Sequence, residues 1–314
     1  AARNAGALGL KDDAALISFA PGRQLVTTVD AMVAGVHFIG DEAPGRIGQK
    51  LLRVNLSDLA AMGARPEGYL LTLALPTSID DDWLTAFAAG LKSDQDEFQI
   101  ALLGGDTVST PGPLTLSLTA FGTVPENAAL RRAGVRPGDA IFVSGTIGDA
   151  ALGLMAVRGE LDRIEAPDLA RLTERYQLPQ PRLELGQALV GLAGAAIDIS
   201  DGLVADLGHM ARAGGVSLKI EIERLPLSPA ARRLLDQRPD LIAAVLTGGD
   251  DYELAFSVEA RVVDSIDALA HKLDLPLRRI GLAEKIVGQE IGDVRVFDGA
   301  GRRVAAPTPG WTHF

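Results

Sequence analysis

The chain has 314 residues, 47% of them hydrophobic and 23% charged, with no cysteine and a formal net charge of −11. That length and apolar content suit two domains with substantial cores rather than a disordered chain. The missing cysteines exclude disulfides, thiol nucleophiles, thiolate zinc sites and iron–sulfur clusters, and the acidic balance argues against nucleic acid or an anionic membrane surface as a partner.

In chain order, the first ten residues, AARNAGALGL, lack a basic segment followed by a long apolar stretch and do not read as a secretory signal. No apolar run reaches the ~20 residues of a membrane span, so the expected location is the cytoplasm. Gln24–Thr28 reads as a buried strand ending at Asp30. Between Gly45 and Met62 the residues Ile47, Leu51, Val54, Leu59 and Met62 recur at helical spacing, which puts Asn55 and Asp58 on one face. Tyr69–Leu75 reads as a strand closed by Pro76. Asp80–Phe98 reads as a helix capped by Asp80 or Ser78. Gln99–Leu103 is a short strand that runs into Gly104-Gly105-Asp106, and Leu114–Val124 alternates as a long strand.

A polar, Gly- and Pro-containing break at Arg131–Asp139 marks a boundary between a first domain, residues 1–136, and a second, residues 137–314. The second opens with a strand, Ala140–Ser144, and predicted helices follow at Gly148–Arg158 and Leu183–Leu192. Ala195–Ile199 is a strand into Asp201, Leu203–Ala213 a helix and Val216–Ile222 a strand. Ser228–Leu246 is helical in two pieces, Tyr252–Val258 a strand and Arg261–Leu273 a helix, and short strands close the chain. GGD occurs at Gly104–Asp106 and again at Gly248–Asp250, each after an apolar run, so the halves echo one another.

Six acidic clusters stand at the edges of apolar runs or beside glycine: Asp12-Asp13, Asp30, Asp58, Asp106, Asp198/Asp201 and Asp250-Asp251. Gathered carboxylates repel one another, and hard cations relieve the repulsion. Mg²⁺ suits such oxygen sets and is commonly shared with substrate phosphates. Each cluster also has a plain structural reading. Gly104-Gly105-Asp106 is either a tight turn with a capping Asp or a close approach to a ligand. Asp58 either faces solvent or is buried with a function. Asp12-Asp13 reads by itself as a local cap or ion pair with Lys11. Asp198, Ser200 and Asp201 offer three oxygens in four residues beside Gly202, or else cap the next helix. The turn Ser144–Asp149 exposes helix amides that would hold a phosphate, although a plain β–α turn is the simpler reading. Neither the P-loop pattern nor the dinucleotide glycine pattern occurs.

Taken in order, GLKDDAAL, TTVDAMVAGVHF, KLLRVNLSDLAAMGARP, LLGGDT, RRAGVRPGD, VSGTIGDAALGL, AIDISDGLVADLGH, GGDDYEL and the ending GWTHF resemble the thiamine-monophosphate kinase family, from Gly9 to Phe314. The wider superfamily includes aminoimidazole ribonucleotide synthetase, selenophosphate synthetase and a hydrogenase maturation factor. The resemblance implies an α/β (α+β) two-domain fold, with an N-terminal domain whose sheet dimerises into a barrel-like core and a C-terminal α+β domain that completes the cleft. It implies a homodimer that uses ATP as co-substrate and several Mg²⁺ ions to convert thiamine monophosphate to thiamine diphosphate. It further implies metal contacts at Asp13, Thr28, Val29, Asp30, Asp58, Asp106, Asp198 and Asp201. Nucleotide contacts are implied at Gly105, Asp106, Arg132 and Ser200, and acceptor contacts at His37, Asp250 and Trp311. Two departures stand out: Lys11 replaces a family glycine, and GGDD replaces the more usual GGED.

The chemistry agrees with such a site. A phosphate monoester is already an anion and needs no general base, whereas two polyanions must be held together. Two unit charges 4 Å apart repel by roughly 4 kcal/mol at an effective dielectric of 20. Cations among the carboxylates would offset that repulsion for a direct in-line transfer, with no phosphoenzyme. Two other readings compete: an aminoimidazole ribonucleotide synthetase-like enzyme, and a non-catalytic Mg–nucleotide-binding protein. The selenophosphate and hydrogenase-maturation members depend on Cys or its selenium analogue, which this chain lacks.

Overall fold

A four-stranded sheet organises the first part of the chain in a computed structural model that describes residues 5–162, 164–286 and 292–304. Its strands are β1 (Arg23–Val33), β2 (Arg65–Leu75), β3 (Ala101–Ser109) and β4 (Thr115–Pro125), in the order β1-β4-β2-β3. Only β2 and β3 run parallel, with a helix connecting them; the other pairs are antiparallel. Alternation puts Leu116, Leu118 and Ala120 of β4 on a fully buried face. Two helices, α1 (Pro44–Ala61) and α2 (Asp81–Glu97), lie on that side. Tyr69 reaches Gln95 of α2 at 2.9 Å, and Thr28 reaches Asp58 of α1 at 2.5 Å. Asp80 caps α2 by accepting the Trp83 amide. A buried Arg53–Asp94 pair, 2.7 Å apart, ties α1 to α2.

Two strands run further than the sequence pattern suggests. β1 continues to Val33, so Asp30 lies within it. β3 continues to Ser109, so Gly104-Gly105-Asp106 is strand rather than turn. The cause is tertiary: β3 pairs with β2 from Leu70/Gly104 to Leu75/Ser109. A Cβ on Gly105 would sit 1.9 Å from the Leu71 carbonyl oxygen, so only glycine admits this approach.

A mixed seven-stranded sheet organises the rest. Its strands are β5 (Ala140–Ser144), β6 (Ala195–Asp198), β7 (Ser217–Glu221), β8 (Leu254–Val258), β9 (Leu277–Glu284), β10 (Val294–Phe297) and β11 (Arg303–Val304), in the order β11-β10-β7-β9-β5-β8-β6. The helices are α3 (Asp149–Val157), α4 (Ala166–Gln177), α5 (Leu183–Leu189), α6 (Leu203–Gly214), α7 (Pro229–Gln237), α8 (Ile242–Thr247) and α9 (Val263–Leu273). Ile141, Val143, Ile197, Leu207, Met210, Val245 and Ile280 form the centre of the core. Helix α4 is absent from the predicted elements. Its apolar stripe is short (Leu172 and Tyr176 are buried) and its other inward residues, Asp168 and Arg175, are charged, so periodicity alone does not mark it.

The chain divides into two units, Ala1–Leu59 with Ala64–Ala129, and Ala60–Gly63 with Leu130–Phe314. Among the described residues, no helix is long and apolar enough to cross a membrane.

Candidate functional site

In the first unit, strand alternation points Thr28 and Asp30 towards α1 and turns Val29 away, leaving Val29 60% exposed. Thr28 Oγ1 donates to Asp58 Oδ2 at 2.5 Å, and the Asp30 amide donates to Asn55 Oδ1 at 3.1 Å. Asn55 and Asp58 therefore share the face that meets β1, as their spacing suggests. Asp58 is half-buried beneath the strand and does not point into solvent. His37 lies in the loop that follows β1. Its Nδ1 accepts the Val33 amide at 3.1 Å, which places the ring proton of the neutral imidazole on Nε2.

Asp106 is on the opposite edge of the same sheet. Asp30 aligns with Leu118, Leu71 and Gly105, whereas Asp106 aligns with Thr72, Ser117 and Ala31 on the other face. Three interstrand spacings separate the edges, roughly 14 Å. Asp106 instead shares a cleft of about 610 Å³ with Asp12 and Asp13. Leu70, Leu73, Leu103 and Phe121 line it with apolar surface, and Gly104 and Gly105 bring bare backbone to its wall. A cleft of that size, with apolar lining and a few polar groups, suits a small organic ligand.

In the second unit, β6 ends at Asp198, and Ser200-Asp201-Gly202 turns into α6. The predicted Ala195–Ile199 strand thus stops one residue early, and Ser200 belongs to the turn. Asp206 accepts the amides of Ser200, Asp201 and Gly202 at 3.1, 3.0 and 3.1 Å, all on Oδ2. Burial first, and then the neighbouring Asp201, push the Asp206 carboxyl up to about 7. Ligand atoms of Asp201, Asp206 and His209 lie within 4.8 Å of one another. Burial foremost, and then the cations Arg212 and Arg132, hold the His209 imidazole below its usual range. Arg132 opens a single 3₁₀ turn, Arg132–Gly134. Two carboxylates and one imidazole form a donor set that fits a divalent cation.

The GGDD segment lies beside this turn. The Asp250 amide donates to the Ser200 carbonyl at 2.9 Å and the Tyr252 amide to the Ile199 carbonyl at 2.8 Å. Asp250 and Tyr252 both hold left-handed backbone, φ 71° and 49°, a cost of order 1 kcal/mol each. Two buried acids hold them there. Asp251 accepts the Gly148 and Ala150 amides at 2.6 and 3.2 Å. Glu253 accepts Ser144 Oγ at 2.6 Å, Arg182 Nε at 2.6 Å and Arg175 at 2.9 Å. The first amides of α3 are thus taken by the protein's own carboxylate, which makes Ser144–Asp149 the plain β–α turn that the sequence favours over a phosphate cradle. The two GGD triplets also differ, one being strand and the other a loop before β8. Trp311 lies outside the described residues.

Sequence reading missed Asp206, Asp251 and Glu253 as anchors. The available signal was an acid four residues after Gly202, in the first turn of a helix, and the acids that follow Asp250. Asp251 has a measurable consequence. Burial outweighs its two amide bonds and Arg175 and pushes its carboxyl up to about 7. Between the unfolded value of 3.8 and about 7, the native state keeps a proton that the unfolded chain releases. That stabilisation is complete below 3.8 and is lost as the pH rises through about 7. The melting temperature of wild type should fall between pH 5 and pH 8, and Asp251→Asn should flatten the decline. Differential scanning calorimetry across that range checks it, and parallel slopes for the two proteins would refute it.

Known proteins resemble both parts of the chain. Residues 11–124 match the family model "AIR synthase related protein, N-terminal domain", and residues 136–289 match "AIR synthase related protein, C-terminal domain". A thiamine-monophosphate kinase of Caulobacter vibrioides is 43% identical over 310 residues, covering 98% of this chain and 85% of that protein. The crystal structure of a thiamine-monophosphate kinase from Stenotrophomonas maltophilia superposes with a TM-score of 0.84 at 46% identity, covering 92% of this chain and 90% of the other. A structure described as AaThiL complexed with AMPPCP and TMP gives a TM-score of 0.81 at 31% identity, covering 96% and 91% of the two chains. The chain therefore belongs to the thiamine-monophosphate kinase family of AIR synthase related proteins.

Proposed function

We propose that this kinase transfers the γ-phosphoryl group of ATP to thiamine monophosphate, giving thiamine diphosphate and ADP by direct in-line displacement. The observation that carries this reading is the relative solved with AMPPCP and TMP, which matches 96% of this chain. The cleft beside β3 suits the nucleotide: apolar side chains line it for a base, and Gly104-Gly105 backbone and the Asp13 and Asp106 carboxylates lie along it. His37 presents an Nε2 proton to an anionic acceptor, and Asp250 and Arg132 are further contact candidates. The oxygens of Asp13, Thr28, Asp30, Asp58, Asp106, Asp198 and Asp201, with the Val29 carbonyl, are the groups that would hold Mg²⁺. When bound, Mg²⁺ neutralises charge between the two polyanionic reactants. The protein's part is to fix the orientation of both phosphates; the acceptor oxygen is already ionised, so no side chain has to remove a proton.

A homodimer suits the first unit. Among the described residues, neither edge strand of its sheet, β1 or β3, pairs with a further strand. Residues 105–109 of β3, Val108 among them, are exposed, and so are Leu25, Val29 and Leu70, a pattern that invites pairing with a second sheet. Pairing the β3 edge of one copy with the β1 edge of another would bring the two strands side by side. That is the geometry of the proposed barrel-like core.

The test is radiolabel transfer from γ-labelled ATP, with magnesium present or chelated. Thiamine diphosphate should form from thiamine monophosphate, not from free thiamine, and EDTA should abolish it. Transfer to an aminoimidazole precursor instead, or ATP binding without turnover, would replace this reading with one of its two competitors.

A further inference from the structure

We propose that Asp206 is a positioning residue for the phosphoryl transfer: it shapes the Ser200-Asp201-Gly202 turn so that Ser200 and Asp201 face the reactants. This rests on the magnesium-dependent kinase reading above and deepens it.

Three observations carry the inference. First, Asp206 does not cap its own helix in the ordinary way. A capping side chain accepts the second or third amide of the helix it opens. Asp206 lies in the first turn of α6, yet its Oδ2 collects the amides of Ser200, Asp201 and Gly202, all upstream of Leu203. Its own amide donates to the Gly202 carbonyl at 3.0 Å, so side chain and backbone grip the same residue. Three successive amides converging on one oxygen make an anion-binding nest that the protein has filled itself.

Second, the turn is held from the other side by the GGDD loop. The carbonyls of Ile199 and Ser200 accept the Tyr252 and Asp250 amides, and the Ile199 amide donates to the Glu253 carbonyl at 2.9 Å. The packing is tight enough that a Cβ on Gly249 would lie 2.1 Å from the Ser200 oxygen. With amides fixed on one side and carbonyls on the other, the turn has little backbone freedom left.

Third, Asp206 is buried and its carboxylate lies within 4.8 Å of that of Asp201, close enough for the two to repel. A purely structural acceptor would gain nothing from a second acid next to it. The arrangement gains stability when a cation sits on the Asp201 side.

Two variants loosen the grip on the turn. Asp206→Asn leaves a neutral acceptor where a carboxylate oxygen holds three amides; Asp206→Glu keeps the charge and displaces the oxygen by one methylene. Activity is read as a function of free Mg²⁺ at saturating ATP, alongside the melting temperature. Both variants should need at least about tenfold more Mg²⁺ for half-maximal activity, because small displacements of reacting groups cost one to two orders of magnitude. Asp206→Glu should be no better than Asp206→Asn. A Glu variant with a wild-type magnesium curve, or two variants that melt earlier with unchanged curves, overturns the proposal. If Asp206→Glu does not fold, amide hydrogen exchange in Asp206→Asn decides. Exchange at residues 200–202 at least about tenfold faster, at an unchanged melting temperature, supports the role; unchanged exchange overturns it. A wild-type enzyme indifferent to magnesium overturns the kinase reading itself and this proposal with it.

Discussion

Replacing Asp58 with asparagine should lower turnover by roughly 10²–10³-fold, equivalent to about 3–4 kcal/mol of lost electrostatic stabilisation, while the melting temperature barely moves. The two effects separate because the local fold does not need the charge. Thr28 Oγ1 donates to Asp58 Oδ2, and the amide oxygen of asparagine accepts the same bond. Asp58 is only half-buried, so no deep cavity or stranded ion follows. What the variant loses is a full negative charge next to Asp30, on a face where Thr28 and Asn55 add only neutral oxygens. Steady-state kinetics with a magnesium titration, paired with thermal melts, checks it. Wild-type turnover in Asp58→Asn would remove this residue from the proposed metal set, and a large drop in melting temperature would make it a structural acid instead.

Replacing Glu253 with alanine should have the opposite signature, a loss of about 3–5 kcal/mol of stability. Glu253 is fully buried, with Arg175 and Arg182 both bonded to its carboxylate and Ser144 donating to it. Arg175 is itself 3% exposed. Removing the acid strands a buried guanidinium without its counter-ion, which costs far more than the contact itself. It also frees the strained backbone at Asp250 and Tyr252, whose left-handed φ values persist only while the neighbouring anchors hold. At ~2–4 °C per kcal/mol for a large domain, the melting temperature should fall by roughly 6–20 °C. Glu253→Gln keeps an acceptor oxygen and should lose clearly less. A fall of under ~2 °C in the alanine variant would mean that the cage contributes little to the fold.

These two residues mark what the sequence discloses and what it hides. Asp58 stands out on paper because an acid in an otherwise apolar helix demands an explanation, and its spacing from Asn55 assigns the shared face. Glu253 looks like the start of an ordinary strand, and nothing near it in the chain announces Arg175 or Arg182. The same division explains Gly104-Gly105-Asp106. Two glycines before an acid read locally as a turn, but the pairing of β3 with β2 stretches them into a strand. Helix α4 escaped notice because it turns Asp168 and Arg175 inward, and inward charges erase the apolar period. Asp206 was legible only as a first-turn acid; that it serves three amides behind its own helix depends on how β6 enters α6.

The amino-acid order alone determined the chemical inventory of this protein: hard oxygen donors, no thiols, an acidic surface and two runs of alternating strands and helices. Those are properties of composition and short-range periodicity, and the order of the motifs added the family. The tertiary structure decided which acids meet. It put Asp58 against Thr28, Asp13 beside Asp106 in one cleft, and Asp106 on the far edge of the sheet from Asp30. It also gave Asp206 and Asp251 to the backbone. Such meetings join segments up to about a hundred residues apart, as between Gly148 and Asp251. They depend on strand order and register, which no local window of sequence contains.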